Sequence, residues 1–322
     1  MNRVVDPLFA ALDLGTNNCR LLLARPTPHH GSPFTVVDGH SHITRLGEGV
    51  SETGRLGEAA MERTLATLRA CQAVMNRYDI ARSRFIATEA CRRAANCNDF
   101  LQRVRVETGI SLEIIPAEEE ARLALLGCAS LFDPAYPHGL VFDVGGGSTE
   151  VVWTRRGEGG AVIAEGVISL PLGVVTVTED CGGVVCEVEY PKVKAHVIER
   201  LKAFESAHGI AKKVAAGQVQ MVGTSGTITT LAAAAMDLPR YRRSAIDGLR
   251  LDFTQLHAAR DRLVAMTHEE RAAHPCIGEG RADLVVAGCA ILEAICDLWP
   301  AGHLTVADRG LREGLLLELM TP

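Results

Sequence analysis

The chain has 322 residues, 47% of them hydrophobic and 22% charged, and a formal net charge of −6. That composition excludes a disordered chain, and the acidic balance argues against general nucleic-acid binding. No window supplies the roughly 18 to 20 uncharged apolar residues of a membrane-spanning helix.

The length exceeds one ordinary core and predicts two domains. At the N-terminus, MNRVVDPLFAALDLG has an apolar run broken by Asp6, Pro7 and Asp13. It does not fit a secretory signal, so a cytoplasmic location is expected. Ten cysteines are dispersed without a CxxC pair and read as reduced, buried small hydrophobes, while eleven histidines form no HExxH pair.

Residues Phe9 to Arg25, FAALDLGTNNCRLLLAR, read as a strand ending at Asp13, a turn and a second strand. Phe34 to Arg45 reads as a third strand, and LGEGVSETGRLGE as a glycine-rich loop. Helical spacing of Met61, Leu65, Leu68, Val74 and Met75 predicts an amphipathic helix over Glu58 to Tyr78. Arg84 to Thr88 is a short strand, followed by a turn and a helix ending at Gly109. Leu112 to Ile115 is another strand, stopped by Pro116. AEEEARLALLGCASLF then favours a helix with three acids in its first turn, where the helix dipole favours them.

DPAYPHG, residues 133–139, is the expected boundary between domains 1–132 and 133–308, with the last helix, 309–322, returning to the first. After it, LVFDVGGGSTEVVW, residues 140–153, repeats the strand-turn-strand form of the first segment. Asp143 lies 130 residues after Asp13, as Gly145 does after Gly15, Ser148 after Asn18 and Glu150 after Arg20. That spacing argues for an internal duplication. Val162 to Leu170 continues as a strand, and Tyr190 to His208 as a basic amphipathic helix carrying Lys192, Lys194, Arg200 and Lys202, either a guide for a polyanion or a wet helix face. VQMVG is a short strand running into TSGTITTLAAAA, a turn that opens a helix. Residues 254–274 read as helical, Arg281 opens a long apolar helix, HLTVAD is a strand, and RGLREGLLLELM is a closing helix.

Strands alternating with helices make the fold α/β. Turns rich in glycine and hydroxyls let backbone N–H groups close on an anion, and a helix N-terminus after such a turn binds one too. The candidate phosphate-binding residues are Gly15, Thr16, Asn17 and Asn18; Gly145, Gly146, Gly147, Ser148 and Thr149; and Gly223, Ser225 and Gly226. Asp143 and Glu150 sit at the two rims of the glycine turn, a turn fit to cradle a phosphate beside a cation. Turn capping and an exposed strand position are the plain alternatives for those two acids. Arg281 and Asp308 read as structural or hinge residues.

DLGTNNCRLLLA, EEEARL, FDVGGGSTEVV, VGTSGTI and GLREG, in this order, resemble the exopolyphosphatase and guanosine pentaphosphate phosphohydrolase (Ppx/GppA) family, over about Phe9 to Met320. The resemblance implies the actin, Hsp70 and sugar-kinase superfamily, with two similar ribonuclease H-like domains and an active site in the cleft between them. It further implies release of terminal phosphate from inorganic polyphosphate or guanosine pentaphosphate. Mg²⁺ is the usual cation, with Mn²⁺ the other possibility, and a homodimer is expected with no nucleic-acid or membrane partner. Glu120 matches the family's catalytic glutamate, Asp143 and Glu150 its metal-associated acids, whose oxygens suit Mg²⁺, Arg92 a basic position able to clamp phosphate, with Arg93 as its rival, and Asp13 the equivalent acid of the first domain, in a metal or structural role. Longer members carry a further C-terminal helical domain, which this chain does not reach. Readings of other classes are a superfamily small-molecule kinase and a nucleotide-gated actin-like binding protein.

Overall fold

The computed structural model describes residues 6–27 and 33–321. The first residues of the N-terminal stretch and Pro322 lie outside them. The chain divides into two compact units, Met1–Gly127 with Leu311–Pro322, and Cys128–Gly310.

The first unit is built on β1 (Leu8–Leu14), β2 (Asn18–Pro26), β3 (Phe34–Ile43), β4 (Ile80–Ala87) and β5 (Glu113–Ile114), in the spatial order β3-β2-β1-β4-β5. β1 lies antiparallel to β2 and parallel to β4, and β4 is parallel to β5. Side chains alternate across a strand, so β1 feeds two cores. Ala10, Leu12 and Leu14 face the helices Glu58–Met75 and Cys97–Thr108, while Phe9 and Ala11 face Leu123 and the apolar side of the helix Leu311–Met320. A strand covered on both faces needs a nearly continuous apolar sequence, and LFAALDL is one.

The second unit repeats this plan. β6 (His138–Val144), β7 (Thr149–Arg156), β8 (Val162–Leu170), β9 (Val219–Thr224), β10 (Arg250–Asp252) and β11 (His303–Ala307) take the order β10-β11-β9-β6-β7-β8. The run β8-β7-β6-β9-β11 has the order and pairing sense of β3-β2-β1-β4-β5. The α/β class and the duplication read from the 130-residue offset are thus borne out. Around Leu140, Phe142, Trp153 and Trp299 the core is closed by the helices Tyr190–His208, Gly226–Ala235 and Val285–Leu298.

Several elements differ from the sequence expectation. The glycine-rich loop contains one helical turn, Val50–Thr53, and Glu89–Arg93 is helical rather than a simple turn. β4 begins at Ile80, four residues before the expected start, because its exposed first half pairs with β1 without supplying an apolar pattern. The stretch 254–274 divides into Phe253–Ala265 and His268–Ala273, the second opened by a capping box in which Thr267 accepts from the Glu270 N–H. A single 3₁₀ turn, Glu279–Arg281, precedes the apolar helix, which starts at Val285. The three-residue β10 carried no signal. Val174–Asp180, rich in β-branched residues, is a helix whose Val174, Val175 and Val177 are buried; tertiary packing outweighs its strand propensity.

In the first unit the helices Ala117–Cys128 and Leu311–Met320 cross closely at Gly314. A Cβ there would lie 2.0 Å from the Leu123 carbonyl oxygen. Arg84 reinforces the crossing, holding Glu318 at 2.7 Å and Glu119 at 3.1 Å. Gly314→Ala is expected to destabilise the protein by about 1–3 kcal/mol, seen as a lower melting temperature by circular dichroism; an unchanged melt would show that the crossing relaxes at no cost.

Candidate active site

Parallel pairing brings the polar segments of the first unit to one end. β1, β4 and β5 finish at Leu14, Ala87 and Ile114, tied together by Thr88 N–H to the Leu14 oxygen and Ile115 N–H to the Ala87 oxygen, each at 3.2 Å. The turn Gly15–Asn18 and the helices Glu89–Arg93 and Ala117–Cys128 all start from that edge, the carboxyl edge at which open α/β sheets bind ligands.

The turn itself is fastened by its carbonyls. Gly15 N–H donates to the Asn18 oxygen at 2.8 Å. The Thr16 oxygen accepts from Gly47 at 2.9 Å, and the Asn17 oxygen from Thr44 at 2.9 Å and Arg45 at 3.0 Å. A planar trans peptide sets N–H opposite C=O, so the amides of Asn17 and Asn18 point away from that attachment. Thr16 Oγ1 and Asn17 Oδ1 are buried with no hydrogen-bond partner among the described residues. A buried polar atom left unpaired costs about 1–3 kcal/mol, and a ligand oxygen or its bound water would remove that cost.

Asp13, the last acid of β1, pairs across the ladder with Arg20. Burial raises its carboxyl above the ordinary aspartate range; Arg20 and Arg312 oppose the rise, and Glu313 adds to it. Glu313, which sequence reasoning did not single out, is 3% exposed.

Glu120 lies in the first turn of the helix Ala117–Cys128. Its Oε2 accepts from Arg92 Nη1 at 2.8 Å, and the same Nη1 donates to the Ile115 carbonyl oxygen at 2.9 Å. Arg92 Nε donates to Glu89 Oε2 at 2.9 Å. The Arg92 side chain is 17% exposed, with Glu89 at 13% and Glu120 at 14%, so the ion pairs sit in a largely dry setting. Burial works against the Arg92 charge, but Glu120 and Glu89 more than compensate and hold its pKa above the usual arginine value. The guanidinium expected to clamp phosphate is thus engaged by two carboxylates and a carbonyl at Nε and Nη1, while its buried Nη2 makes no hydrogen bond among the described residues. Glu89 was missed in the sequence although its position three residues before Arg92 is the spacing of a helical ion pair.

In the second unit the same device recurs. Gly145 N–H donates to the Ser148 oxygen at 2.9 Å; the Gly145 and Gly146 oxygens accept from Val174 at 2.9 Å and Val175 at 2.8 Å. The amides of Gly146 and Gly147 are thereby turned to the other side. This attachment needs Gly173, where a Cβ would come within 2.3 Å of the Gly146 carbonyl. Thr149 Oγ1 donates to the Leu172 oxygen at 2.6 Å, so this hydroxyl serves the turn's own structure.

Asp143 and Glu150 are direct cross-strand partners, and Thr224 and Ser169 extend the row on either side. Cross-strand partners share a face. Glu150 is 2% exposed and accepts from Ser169 Oγ at 2.7 Å. Ser169 was legible only through the β7–β8 register. Among the described residues no three His, Cys, Asp or Glu side chains group closely enough to hold a metal by themselves. Two facing carboxylates nevertheless fit Mg²⁺, which keeps several waters and takes one or two protein carboxylates together with phosphate oxygens.

Gly223 lies inside β9, where a Cβ would meet the Phe142 ring at 2.9 Å. Ser225 follows the strand with φ 96° and ψ 174° and leads into the helix Gly226–Ala235; its buried Oγ has no hydrogen-bond partner among the described residues. Asp308 accepts from Tyr241 Oη at 2.5 Å. Of the basic residues on Tyr190–His208, Lys192 pairs with Glu189 at 3.0 Å, Lys194 with Glu293 at 2.6 Å and Asp297 at 2.7 Å, and Lys202 with Glu199.

The profile of the Ppx/GppA phosphatase family matches residues 22–322. Exopolyphosphatase 2 of Mycobacterium tuberculosis is 31% identical, with 96% of this chain and 98% of that protein covered. A guanosine-5'-triphosphate,3'-diphosphate pyrophosphatase of Photobacterium profundum is 29% identical over 98% of this chain and 60% of its own length. Among solved structures, an exopolyphosphatase from Cytophaga hutchinsonii superposes with a TM-score of 0.85 at 25% identity, covering 97% of each chain.

Ser225 occupies backbone space that only glycine enters without strain. Ser225→Gly is expected to raise the melting temperature, by relief of roughly 1 kcal/mol or more, and to weaken binding of inorganic phosphate in calorimetry because the Oγ is lost. A variant that melts no higher would refute the strain.

Proposed function

Because the chain belongs to the Ppx/GppA phosphatase family, we propose that it is an exopolyphosphatase, hydrolysing the terminal phosphoanhydride bond of inorganic polyphosphate to release orthophosphate. The observation that carries this reading is the Glu120 carboxylate, fixed by Arg92 at 2.8 Å at the sheet end that also bears the turn Gly15–Asn18.

Phosphoanhydride hydrolysis needs an aligned water, a carboxylate to orient or deprotonate it, and donors for the transferring phosphoryl group. Glu120 orients the water and accepts its proton as the oxygen attacks the terminal phosphorus, in line with the bridging oxygen that departs with the rest of the chain. Thr16, Asn17 and Asn18 with Gly15 in the first unit, and Gly145, Gly146, Gly147 and Ser148 in the second, offer amides and polar side chains to phosphate oxygens. Thr149 supports its turn from behind, and Ser225 and Gly226 add a hydroxyl and a helix N-terminus, with Gly223 providing the packing beneath them. Asp143 and Glu150 are the pair that would hold Mg²⁺, or Mn²⁺ in its place, which offsets the charge of the phosphate oxygens. Asp13, beside Arg20 and Arg312 with Glu313 near it, is the equivalent acid of the first unit, in a metal or a structural role. Arg92 holds Glu120 through Nη1, and its Nη2, which makes no hydrogen bond among the described residues, is the donor it offers to a phosphate oxygen.

The reading includes a cytoplasmic setting, in keeping with thiols that are unbridged and, apart from Cys181 and Cys186, buried. It also includes a homodimer without nucleic-acid or membrane partners. A second reading, removal of the 5′ terminal phosphate of guanosine pentaphosphate, uses the same machinery and is favoured by the similarity to the Photobacterium enzyme.

Phosphate release measured side by side on long polyphosphate, short polyphosphate, guanosine pentaphosphate and ATP tests the assignment. Polyphosphate is expected to be turned over fastest, and ATP-dependent phosphorylation of a sugar with no phosphate release would overturn it. Glu120→Gln is expected to lower kcat by about 10²–10⁴-fold with the fold intact, and near-normal turnover would remove Glu120 from the chemistry. For Asp143→Asn the Mg²⁺ concentration giving half-maximal activity should rise; an unchanged value would take Asp143 out of the metal site.

A further inference from the structure

Glu89 lies outside every motif that points to phosphate chemistry, yet it is a largely buried acid held by the same guanidinium as Glu120. We propose that Glu89 is a positioning residue for Glu120, acting through Arg92. The inference rests on the reading of Glu120 as the water-orienting carboxylate.

The geometry divides the guanidinium into two sides. Nη1 carries Glu120 at 2.8 Å and the Ile115 carbonyl at 2.9 Å, whereas Nε donates to Glu89 at 2.9 Å and Nη2 lies 2.9 Å from the same Glu89 oxygen. Arginine's fork can grip one carboxylate with two parallel bonds. Here Nε and Nη2 both face the one Glu89 oxygen, only Nε donating to it while Nη2 makes no hydrogen bond among the described residues, so Arg92 reaches Glu120 through the single nitrogen Nη1. The three anchors are locally independent. Glu89 and Arg92 share the five-residue helix Glu89–Arg93, Ile115 follows β5, and Glu120 opens the next helix. A guanidinium held from three directions has little room to turn, so its Nη1 is a fixed point against which the Glu120 carboxylate is set.

Two consequences follow for the chemistry. Glu120 is oriented without the double grip that would most strongly favour its charged, weakly basic form. In addition, Glu89 places a second negative charge across the guanidinium, and a nearby like charge makes a carboxylate a better proton acceptor. Removing the Glu89 charge leaves Arg92 able to turn its fork fully onto Glu120. Glu120 would then be easier to ionise, a poorer base, and displaced from its position. A displacement of about 1 Å in a reacting group can cost up to roughly a hundredfold in rate.

The test compares Glu89→Gln, Glu89→Asp and Glu120→Gln with the unaltered enzyme, using polyphosphate and Mg²⁺, and reads kcat, KM and the pH dependence of kcat. Glu89→Gln is expected to lower kcat about tenfold or more with KM changed by less than about twofold. It should also move the acid limb of the kcat profile to lower pH. Glu89→Asp, which keeps the charge, should restore the position of the acid limb and part of the rate. A purely structural role for Glu89 would lower the melting temperature without moving that limb. An unmoved acid limb, a loss confined to KM, or no recovery in Glu89→Asp would overturn the proposal. Should Glu89→Gln fail to fold, the acid limb of Glu89→Asp decides: the unaltered position with reduced kcat supports the brace, and a displaced limb refutes it. Full turnover by Glu120→Gln would overturn the reading of Glu120 and the brace with it. Loss in Glu120→Gln beside an unaltered profile in Glu89→Gln would overturn the brace alone.

Discussion

Parallel pairing of β1 with β4, and of β6 with β9, is the constraint on which the polar end of each unit depends. Parallel neighbours must be joined by crossovers that return over the sheet, so helices cover both faces and the only place left for polar chemistry is an edge. At that edge β1, β4 and β5 in one unit, and β6, β9 and β11 in the other, all end. The segment that follows each strand must then satisfy its own backbone in a crowded space. The two hairpin turns do so by spending their carbonyls on the protein, Thr16 and Asn17 on Thr44–Gly47, Gly145 and Gly146 on Val174 and Val175. Peptide planarity then presents their amides on the opposite side. The outward set of the amides at these turns is thus a by-product of how they are attached.

The duplication is complete in topology but not in charge. In the second unit the pair closing the hairpin is Asp143 opposite Glu150, while in the first it is Asp13 opposite Arg20. One backbone plan therefore carries two facing acids in one unit and an acid facing an arginine in the other. Glu120 has no counterpart read from the 130-residue offset, so it lies outside the part of the sequence in which the repeat is legible.

The legible parts of this molecule were those whose signal is local. Glycine turns, the apolar runs of β1 and β6, and the first-turn acids of Ala117–Cys128 are all written within a dozen residues, and the offset between Asp13 and Asp143 made the repeat visible. What could not be read depends on register across distance. That Arg92 meets Glu120 requires β4 and β5 to pair at Ala87 and Ile114, which nothing near Arg92 encodes. Val174–Asp180 carries a strand-like composition, and only its bonds to the glycine turn and the burial of its valines explain the helix. The strained φ of Ser225 follows from joining β9 to a helix without a glycine at the turn, and no sequence pattern announces that.

The lysines of Tyr190–His208 bear on how an acidic chain could handle a polyanion. Lys192, Lys194 and Lys202 are each matched by a glutamate, and Lys194 by an aspartate as well, so most of the positive charge on this helix is compensated within the fold. Recognition of phosphate would then rest on neutral donors, the turn amides and hydroxyls, whose directions are fixed by the attachments behind them. Such donors read the geometry of a single phosphate group and do not pull on a chain at long range. A site of this kind suits an enzyme that works on a chain end, where one terminal group must be placed accurately. The repeating charge beyond it needs little protein contact for the first bond to be cut.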